Sequence, residues 1–240
     1  APIFLAGSLI SRATLHNANR LKELDIHEED TIIVRKAGEI IPEVIKVIYN
    51  LRKKNANKVS LPKICPECSS PLNRQNNEAI TRCMNKSCNA ILRGSLRHWV
   101  SKSSMDIDGF GDKLIEQLVE KKLVKCITDL YRLKLETLAN LERMGEKSAT
   151  KLIEEINHSK SKNWHKQLYG LGIMHLGEAN AKLIAKTFTS AKELSFIVKT
   201  SPKLIEKIHG IGPEIAESLK DWFNNPENEN LLLNLKAIGF

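Results

Sequence analysis

The 240-residue sequence is poor in aromatic residues, which make up 5% of it, and it contains no long apolar run. A membrane-spanning helix needs roughly 18 or more consecutive apolar residues, so we predict none. The chain also lacks a basic segment followed by an apolar core at its N-terminus, which argues against a secretory signal and favours a cytoplasmic protein. It begins at Ala1 without a methionine, which suggests part of a longer protein.

Cysteine is scarce outside one short segment. Four of the five cysteines lie within 24 residues, and Cys126 stands apart between apolar neighbours, as a small buried side chain would. The four are Cys65, Cys68, Cys83 and Cys88. In a cytosolic chain this clustering favours a metal site over a disulfide framework. Four thiolates favour one structural Zn²⁺, with an iron–sulfur cluster and metal-free thiols as the alternatives.

Acidic residues are under-represented around these cysteines. Residues 61–104 carry seven basic and two acidic side chains, whereas residues 105–240 carry 20 basic and 19 acidic ones. A local basic excess indicates a polyanionic partner, most often nucleic acid. Charge alone is equally consistent with a solvated surface.

The first 60 residues have the pattern of a small β-structure. The β-branched run Thr31–Arg35 and the imperfectly alternating Glu43–Ile48 predict two strands, and Ile3–Ala6 predicts a shorter one. Residues 17–24 predict a short helix. These strands are too few to close a barrel by themselves.

The last 136 residues are helical in pattern and contain an internal repeat of about 34 residues. A glycine precedes each of four helices, and the residue before each glycine is apolar. The four glycines are Gly111, Gly145, Gly177 and Gly212. Two units have a further glycine two positions earlier, Gly109 and Gly210, where the other two have Arg143 and His175.

An apolar residue and a glycine at the start of a helix form the helix-hairpin-helix pattern. Glycine allows a tight turn and close approach of a ligand, and the first helical amides have no partner within the helix. Such a terminus binds anions, and on DNA the anion is a backbone phosphate, independent of base sequence. We interpret the units with Arg143 and His175 as structural copies of the two complete ones. Ordinary helix connections, or a helical repeat scaffold for proteins, remain alternatives.

In this order, the motifs resemble the bacterial NAD-dependent DNA ligases over essentially the whole chain. Residues 11–17 read Ser-Arg-Ala-Thr-Leu-His-Asn and residues 35–42 read Arg-Lys-Ala-Gly-Glu-Ile-Ile-Pro, and both resemble the family's oligonucleotide-binding (OB) barrel. The four-cysteine finger and the hairpin array, opened by Met-Asp-Ile-Asp-Gly at residues 105–109, follow in the family's order.

The resemblance implies an enzyme that uses NAD and Mg²⁺ to seal nicks in duplex DNA during replication and repair. It implies that Arg12, Thr14, His16 and Lys36 face DNA near the nick, and that the glycine turns hold backbone phosphates. It also implies a cytoplasmic, nucleoid-associated protein, for which we favour a monomer.

The chain departs from the family pattern in what it does not contain. It has no Lys-x-Asp-Gly segment, and therefore no lysine to be adenylated. We expect that the adenylation domain, the first OB strand and the C-terminal BRCT domain are missing, that the chain binds DNA, and that it does not ligate alone.

Together these observations predict a multi-domain α+β protein. We expect a partial OB-type β-barrel in residues 1–60, a small zinc finger in residues 61–104 and an all-α tandem helix-hairpin-helix array in residues 105–240. The alternative is a stand-alone zinc-finger and helix-hairpin-helix DNA-binding repair module without catalytic activity.

Overall fold

The computed structural model describes residues 2–38, 40–74 and 80–240, and the chain forms two compact units. One unit comprises Ala1–Cys88 and the other Asn89–Phe240. No helix in the described part of the chain is long and apolar enough to cross a membrane.

The first unit is built from short antiparallel hairpins and one helix. Strand β1 (Ile3–Leu5) pairs with β2 (Ser8–Ile10), helix α1 spans Ala18–Leu24, and β3 (Ile32–Ala37) pairs with β4 (Ile41–Val47). The strands and helix predicted from the sequence are therefore present. Among the described residues no barrel closes, which agrees with a partial OB fold.

The irregular alternation of β4 reflects a β-bulge. Ile33 pairs with Lys46 and Val34 with Val44, so that Ile45 is left as an extra residue in β4. The bulge lets Val44 and Val47 both face the core although they are three positions apart. The core of this unit contains five buried apolar residues: Leu21, Leu24, Ile26, Val44 and Val47.

The cysteine segment continues this unit with a minimal hairpin. Strand β5 (Leu72–Asn73) pairs with β6 (Arg82–Cys83), as expected for the fourteen residues that separate Cys68 from Cys83. Residues 75–79 of that connection lie outside the described residues.

The second unit is helical throughout its described secondary structure. Its helices are α2 (Asn89–Val100), α3 (Asp112–Glu120), α4 (Leu135–Ala139), α5 (Glu146–Ser159), α6 (Trp164–Gly170), α7 (Glu178–Thr187), α8 (Ala191–Thr200), α9 (Lys203–Glu206), α10 (Pro213–Phe223) and α11 (Pro226–Ala237), with a 3₁₀ segment at Ile127–Arg132.

Equivalent positions of the repeat bury the same face of each helix. Counting from the glycine before the helix, position +4 is at most 6% exposed and position +7 at most 2% in all four units. These residues are Ile115, Ala149, Ala181 and Ala216 at +4, and Leu118, Leu152, Ile184 and Leu219 at +7. One continuous apolar core therefore runs through the unit.

A buried series of hydrogen bonds lies at the centre of this core. The Trp99 indole donates to the Tyr131 hydroxyl (2.9 Å), which donates to Ser159 (3.0 Å), and Ser159 donates to the Ile156 carbonyl (2.7 Å). Burial raises the pKa of Tyr131 to about 12. Each hydroxyl and the indole in this series therefore has a partner, as a stable core requires.

Close packing against Trp99 predicts opposite effects of alanine at two helical glycines. At Gly170 a Cβ atom would lie 3.0 Å from the Trp99 ring, whereas at exposed Gly94 it would meet nothing within 4 Å. We expect Gly170→Ala to lower the free energy of unfolding by about 1–3 kcal/mol through overpacking. Gly94→Ala should raise it by about 0.5–1 kcal/mol through helix propensity. Chemical denaturation measures both, and shifts of the same sign would contradict this packing argument.

Candidate metal centre and nucleic-acid interface

The four clustered cysteines are brought together by two tight turns and the β5–β6 hairpin. In the first turn the Ser69 amide donates to the Cys65 carbonyl (2.9 Å), and Ser69 adopts a positive φ of 58°. In the second, the Cys88 amide donates to the Asn85 carbonyl (2.9 Å). Cys83 is supplied by β6.

The sulfur positions fit a tetrahedral thiolate site. All four Sγ atoms lie within 4.8 Å of one another, with Cys65–Cys88 at 3.9 Å and Cys68–Cys83 at 3.5 Å. Zn–S bonds of about 2.3 Å in a tetrahedron place sulfurs about 3.8 Å apart. A disulfide would need a separation near 2.0 Å, so these cysteines are not joined in disulfides. Hydrogen bonds from Ser70 lower the pKa of the Cys68 thiol to about 6, whereas burial and the neighbouring Cys68 and Cys65 thiols raise the pKa of Cys83 to about 12.

The remaining cysteine and the nearby histidines lie outside this cluster. Cys126 is only partly buried, and its sulfur lies 3.1 Å from the Thr128 hydroxyl. The His98 ring bonds to the Tyr169 carbonyl (2.7 Å), and the His16 ring bonds to Glu43. Within the described residues the metal-competent group consists of the four cysteines alone.

The four hairpin turns each have a residue with positive φ at the same position. The residue two positions before each helix-capping glycine is left-handed: φ is 92° at Gly109, 61° at Arg143, 60° at His175 and 90° at Gly210. A side chain makes this conformation costly by roughly 1–2 kcal/mol, so Arg143 and His175 are held there by their surroundings. Both kinds of turn that the sequence distinguishes therefore have a positive φ at this position, and φ is about 30° larger in the two glycine turns.

The backbone conformation at the four capping glycines does not itself require glycine. Their φ values lie between −101° and −75°, in extended backbone that any residue adopts. A Cβ added at any of the four would meet nothing within 4 Å. The space above these glycines is therefore open to a ligand that approaches the backbone closely.

The same glycines leave the helix N-termini without side-chain caps. No side-chain hydrogen bond is made at Gly111, Gly145, Gly177 or Gly212. By contrast, Asn17, Ser190 and Asn225 each cap their helices. The first-turn amides of α3, α5, α7 and α10 remain available to an anion, except at Pro213, which has no N–H.

In the first unit, the segment predicted to face DNA is joined to β4. The Thr14 amide donates to the Pro42 carbonyl (2.8 Å), and the Val44 amide donates to the Thr14 carbonyl (3.2 Å). His16 follows with φ of 60°, and its amide donates to the Thr14 hydroxyl (2.9 Å).

The structure separates the predicted DNA-facing residues into two groups. Thr14 and His16 lie together, and Arg12 beside them is exposed. Lys36 instead bonds to the Ala6 carbonyl and the Ser8 hydroxyl, both at 3.1 Å. Its neighbours along β3 point to the opposite face, because strand side chains alternate.

Sequence reasoning missed the carboxylate that organises the first group. Glu43 accepts from Arg35 at 2.6 Å and bonds to His16 at 2.7 Å. Hydrogen bonds from Arg35 and then His16 hold the pKa of the Glu43 carboxyl below its usual value. The available signal was weak, because only the register of β3 with β4 places Arg35 opposite Glu43.

Comparison with known families accounts for most of the chain. Residues 1–56 match the NAD-dependent DNA ligase OB-fold domain, and residues 65–90 match the NAD-dependent DNA ligase C4 zinc finger domain. Residues 104–157 match a SAM-like helix-hairpin-helix tandem, and residues 166–232 match a helix-hairpin-helix motif. The four-cysteine cluster is thus a structural zinc site, held by Cys65, Cys68, Cys83 and Cys88.

Curated proteins named DNA ligase are similar to this chain over almost its whole length. A protein named DNA ligase from a strain of Prochlorococcus marinus is 61% identical over 238 residues, 99% of this chain. Another, from Synechococcus sp. (strain CC9605), is 57% identical over 236 residues, 98% of this chain. The chain spans 35% of the length of each. Residues 1–56 and 65–90 are thus similar to domains of NAD-dependent DNA ligases, the helix-hairpin-helix matches follow them, and the chain as a whole is similar to proteins named DNA ligase.

Proposed function

We propose that these residues form the DNA-gripping part of a nick-sealing ligase and bind the backbone of duplex DNA without regard to base sequence. One observation carries the proposal. Four helices begin at exposed glycines that provide no side-chain cap and leave open space above the backbone. Amides in that setting bind phosphate oxygens, and phosphate contacts position a protein on DNA without reading bases.

The two units contribute different chemistry to this binding. The helical unit offers backbone amides, and the part of it that contains the four hairpin turns, residues 105–240, is nearly neutral, with 20 basic and 19 acidic side chains. The first unit offers cationic side chains, among them Arg12 and Lys36. The structural zinc holds the cysteine turns in place, and with four thiolate ligands it leaves no open position for catalysis.

The chemistry of sealing belongs to residues that this chain does not contain. No Lys-x-Asp-Gly segment occurs in the 240 residues. In the parent enzyme we place NAD, Mg²⁺ and adenylyl transfer on the adenylation domain, with the present residues holding the nicked duplex. As a DNA-associated protein the parent would act in the cytoplasm.

Binding and sealing assays on the 240-residue chain test this proposal. We expect nicked duplex to bind, measured by fluorescence anisotropy, and affinity to fall roughly 100-fold between 50 and 200 mM salt if about four phosphates are contacted, at a slope of about −0.9 per contact. With NAD and Mg²⁺ present, no sealed product should form. Salt-insensitive binding, or none, would favour the protein-scaffold alternative, and sealing by this chain would contradict the assignment of chemistry.

The second candidate, a stand-alone DNA-binding repair module, should bind nicked duplex with the same affinity. The two candidates differ upstream of Ala1, where the ligase requires a Lys-x-Asp-Gly segment in the same reading frame. The chain is 61% identical to a protein named DNA ligase over 99% of its length, which favours the ligase.

A further inference from the structure

The Glu43 carboxylate is almost enclosed, although it lies between two side chains that would otherwise be available to DNA, those of Arg35 and His16. Its side chain is 12% exposed, whereas those of its two partners, His16 and Arg35, are 42% and 68% exposed. One oxygen accepts from the Arg35 Nε atom (2.6 Å), and the other bonds to the His16 Nε2 atom (2.7 Å). Both oxygens are therefore engaged, each with a different element of the unit.

The backbone at Glu43 holds the same segment. Thr14 pairs with Glu43 as a one-residue parallel bridge, through the two hydrogen bonds to Pro42 and Val44. His16 has a left-handed φ of 60°, which a side chain adopts only when its surroundings hold it. Strand β4 thus holds Thr14 through the main chain of Pro42 and Val44, and it holds His16 through the side chain of Glu43.

Electrostatics alone does not explain a carboxylate at this position. A negative charge among Arg12, His16 and Arg35 repels phosphate, and surface ion pairs add little to stability. A positioning role does explain it, because ordering a long side chain in advance removes part of the entropic cost of binding.

We propose that Glu43 is a positioning residue that holds His16 and Arg35 in a fixed arrangement, so that these two side chains present an ordered surface to the DNA backbone. This inference rests on the proposed function, since it concerns the same DNA-binding surface. Glu43 itself does not touch DNA. It acts through the two side chains that it orients.

Whether loss of the Glu43 carboxylate weakens or strengthens DNA binding distinguishes a positioning role from an effect of charge alone. Removing a carboxylate from a DNA-binding surface strengthens binding if only charge matters. Removing a positioning group weakens it. We expect Glu43→Ala to weaken binding of a nicked duplex about tenfold, as when one or two long side chains become disordered. Glu43→Gln keeps one acceptor oxygen and should recover part of that loss.

A matched control is available on the same unit. Glu23 in α1 is 63% exposed and pairs with Arg20, one turn earlier on the same helix. Glu23→Ala removes the same charge without touching residues 12–16, so affinity should stay equal or rise slightly. Thermal unfolding of each variant confirms that the chain is folded at the assay temperature, and Glu43→Gln remains informative should Glu43→Ala not fold.

A double-mutant cycle with His16→Ala shows whether Glu43 acts through its partners. If it does, Glu43→Ala should cost much less affinity in the His16→Ala background than in the unaltered chain, whereas independent effects would add. Additivity, or an affinity of both Glu43 variants equal to or above that of the unaltered chain, overturns the inference. If the unaltered chain itself fails to bind nicked duplex, the proposed function fails with it, which is a distinct result.

Discussion

Replacing Cys65 with serine is expected to abolish stoichiometric zinc binding and unfold the cysteine segment. Cys65 is buried, and its sulfur lies 3.9 Å from that of Cys88. Zinc binding to small four-ligand sites contributes about 10–16 kcal/mol at neutral pH, and most of that energy is folding energy. A two-residue β5–β6 pairing cannot replace it, since isolated hairpins are marginal in water.

Metal analysis and thiol titration measure this effect directly. The unaltered chain should hold one zinc, with four thiols protected and Cys126 reacting first, and a chelator should expose all five. Cys126→Ser is the matched control, because Cys126 lies outside the cluster and should leave the zinc content at one per chain. Stoichiometric zinc in the Cys65→Ser variant would contradict the four-thiolate site.

Valine in place of Gly111 is expected to weaken binding to nicked duplex by roughly 10- to 100-fold without changing stability. The φ of −76° suits valine, and a Cβ there meets no atom of the chain within 4 Å. Charged hydrogen bonds from amides to phosphate need separations of about 2.7–2.9 Å, and the added methyl groups hold the phosphate farther away. The loss should therefore appear in the dissociation constant alone.

Valine at two other glycines distinguishes an effect on DNA affinity from an effect on stability. Gly94→Val, in the exposed middle of α2, is the control for added bulk and should leave affinity unchanged. Gly109→Val should lower stability instead, because φ there is 92° and a Cβ would lie 3.2 Å from Leu152. Unchanged affinity in the valine variants of all four capping glycines would exclude the hairpin turns as the phosphate sites.

Since all four capping glycines have open space where a Cβ would lie, we expect comparable losses from Gly145, Gly177 and Gly212. The sequence had suggested that the units with Arg143 and His175 matter mainly for stability. Their left-handed backbone and open helix N-termini now favour four binding turns. Measuring all four valine variants decides between these expectations.

Much of the architecture was readable because its signals are local or periodic. The spacing of the four cysteines predicted the cluster, and the glycine repeat predicted which helices begin after a turn. The strands β3 and β4 were readable from their composition, although the bulge at Ile45 was not, because it depends on the pairing partner.

The amino-acid sequence alone was sufficient for the family resemblance, the zinc ligands and the order of the regions, because each depends on residue types at short, regular spacing. Only the tertiary structure placed Glu43 against His16, 27 residues away, and separated Lys36 from that group. Only it revealed the left-handed conformation of Arg143 and His175 and the open space above the capping glycines. These features arise from strand register and from packing around each turn, which neither composition nor spacing encodes locally.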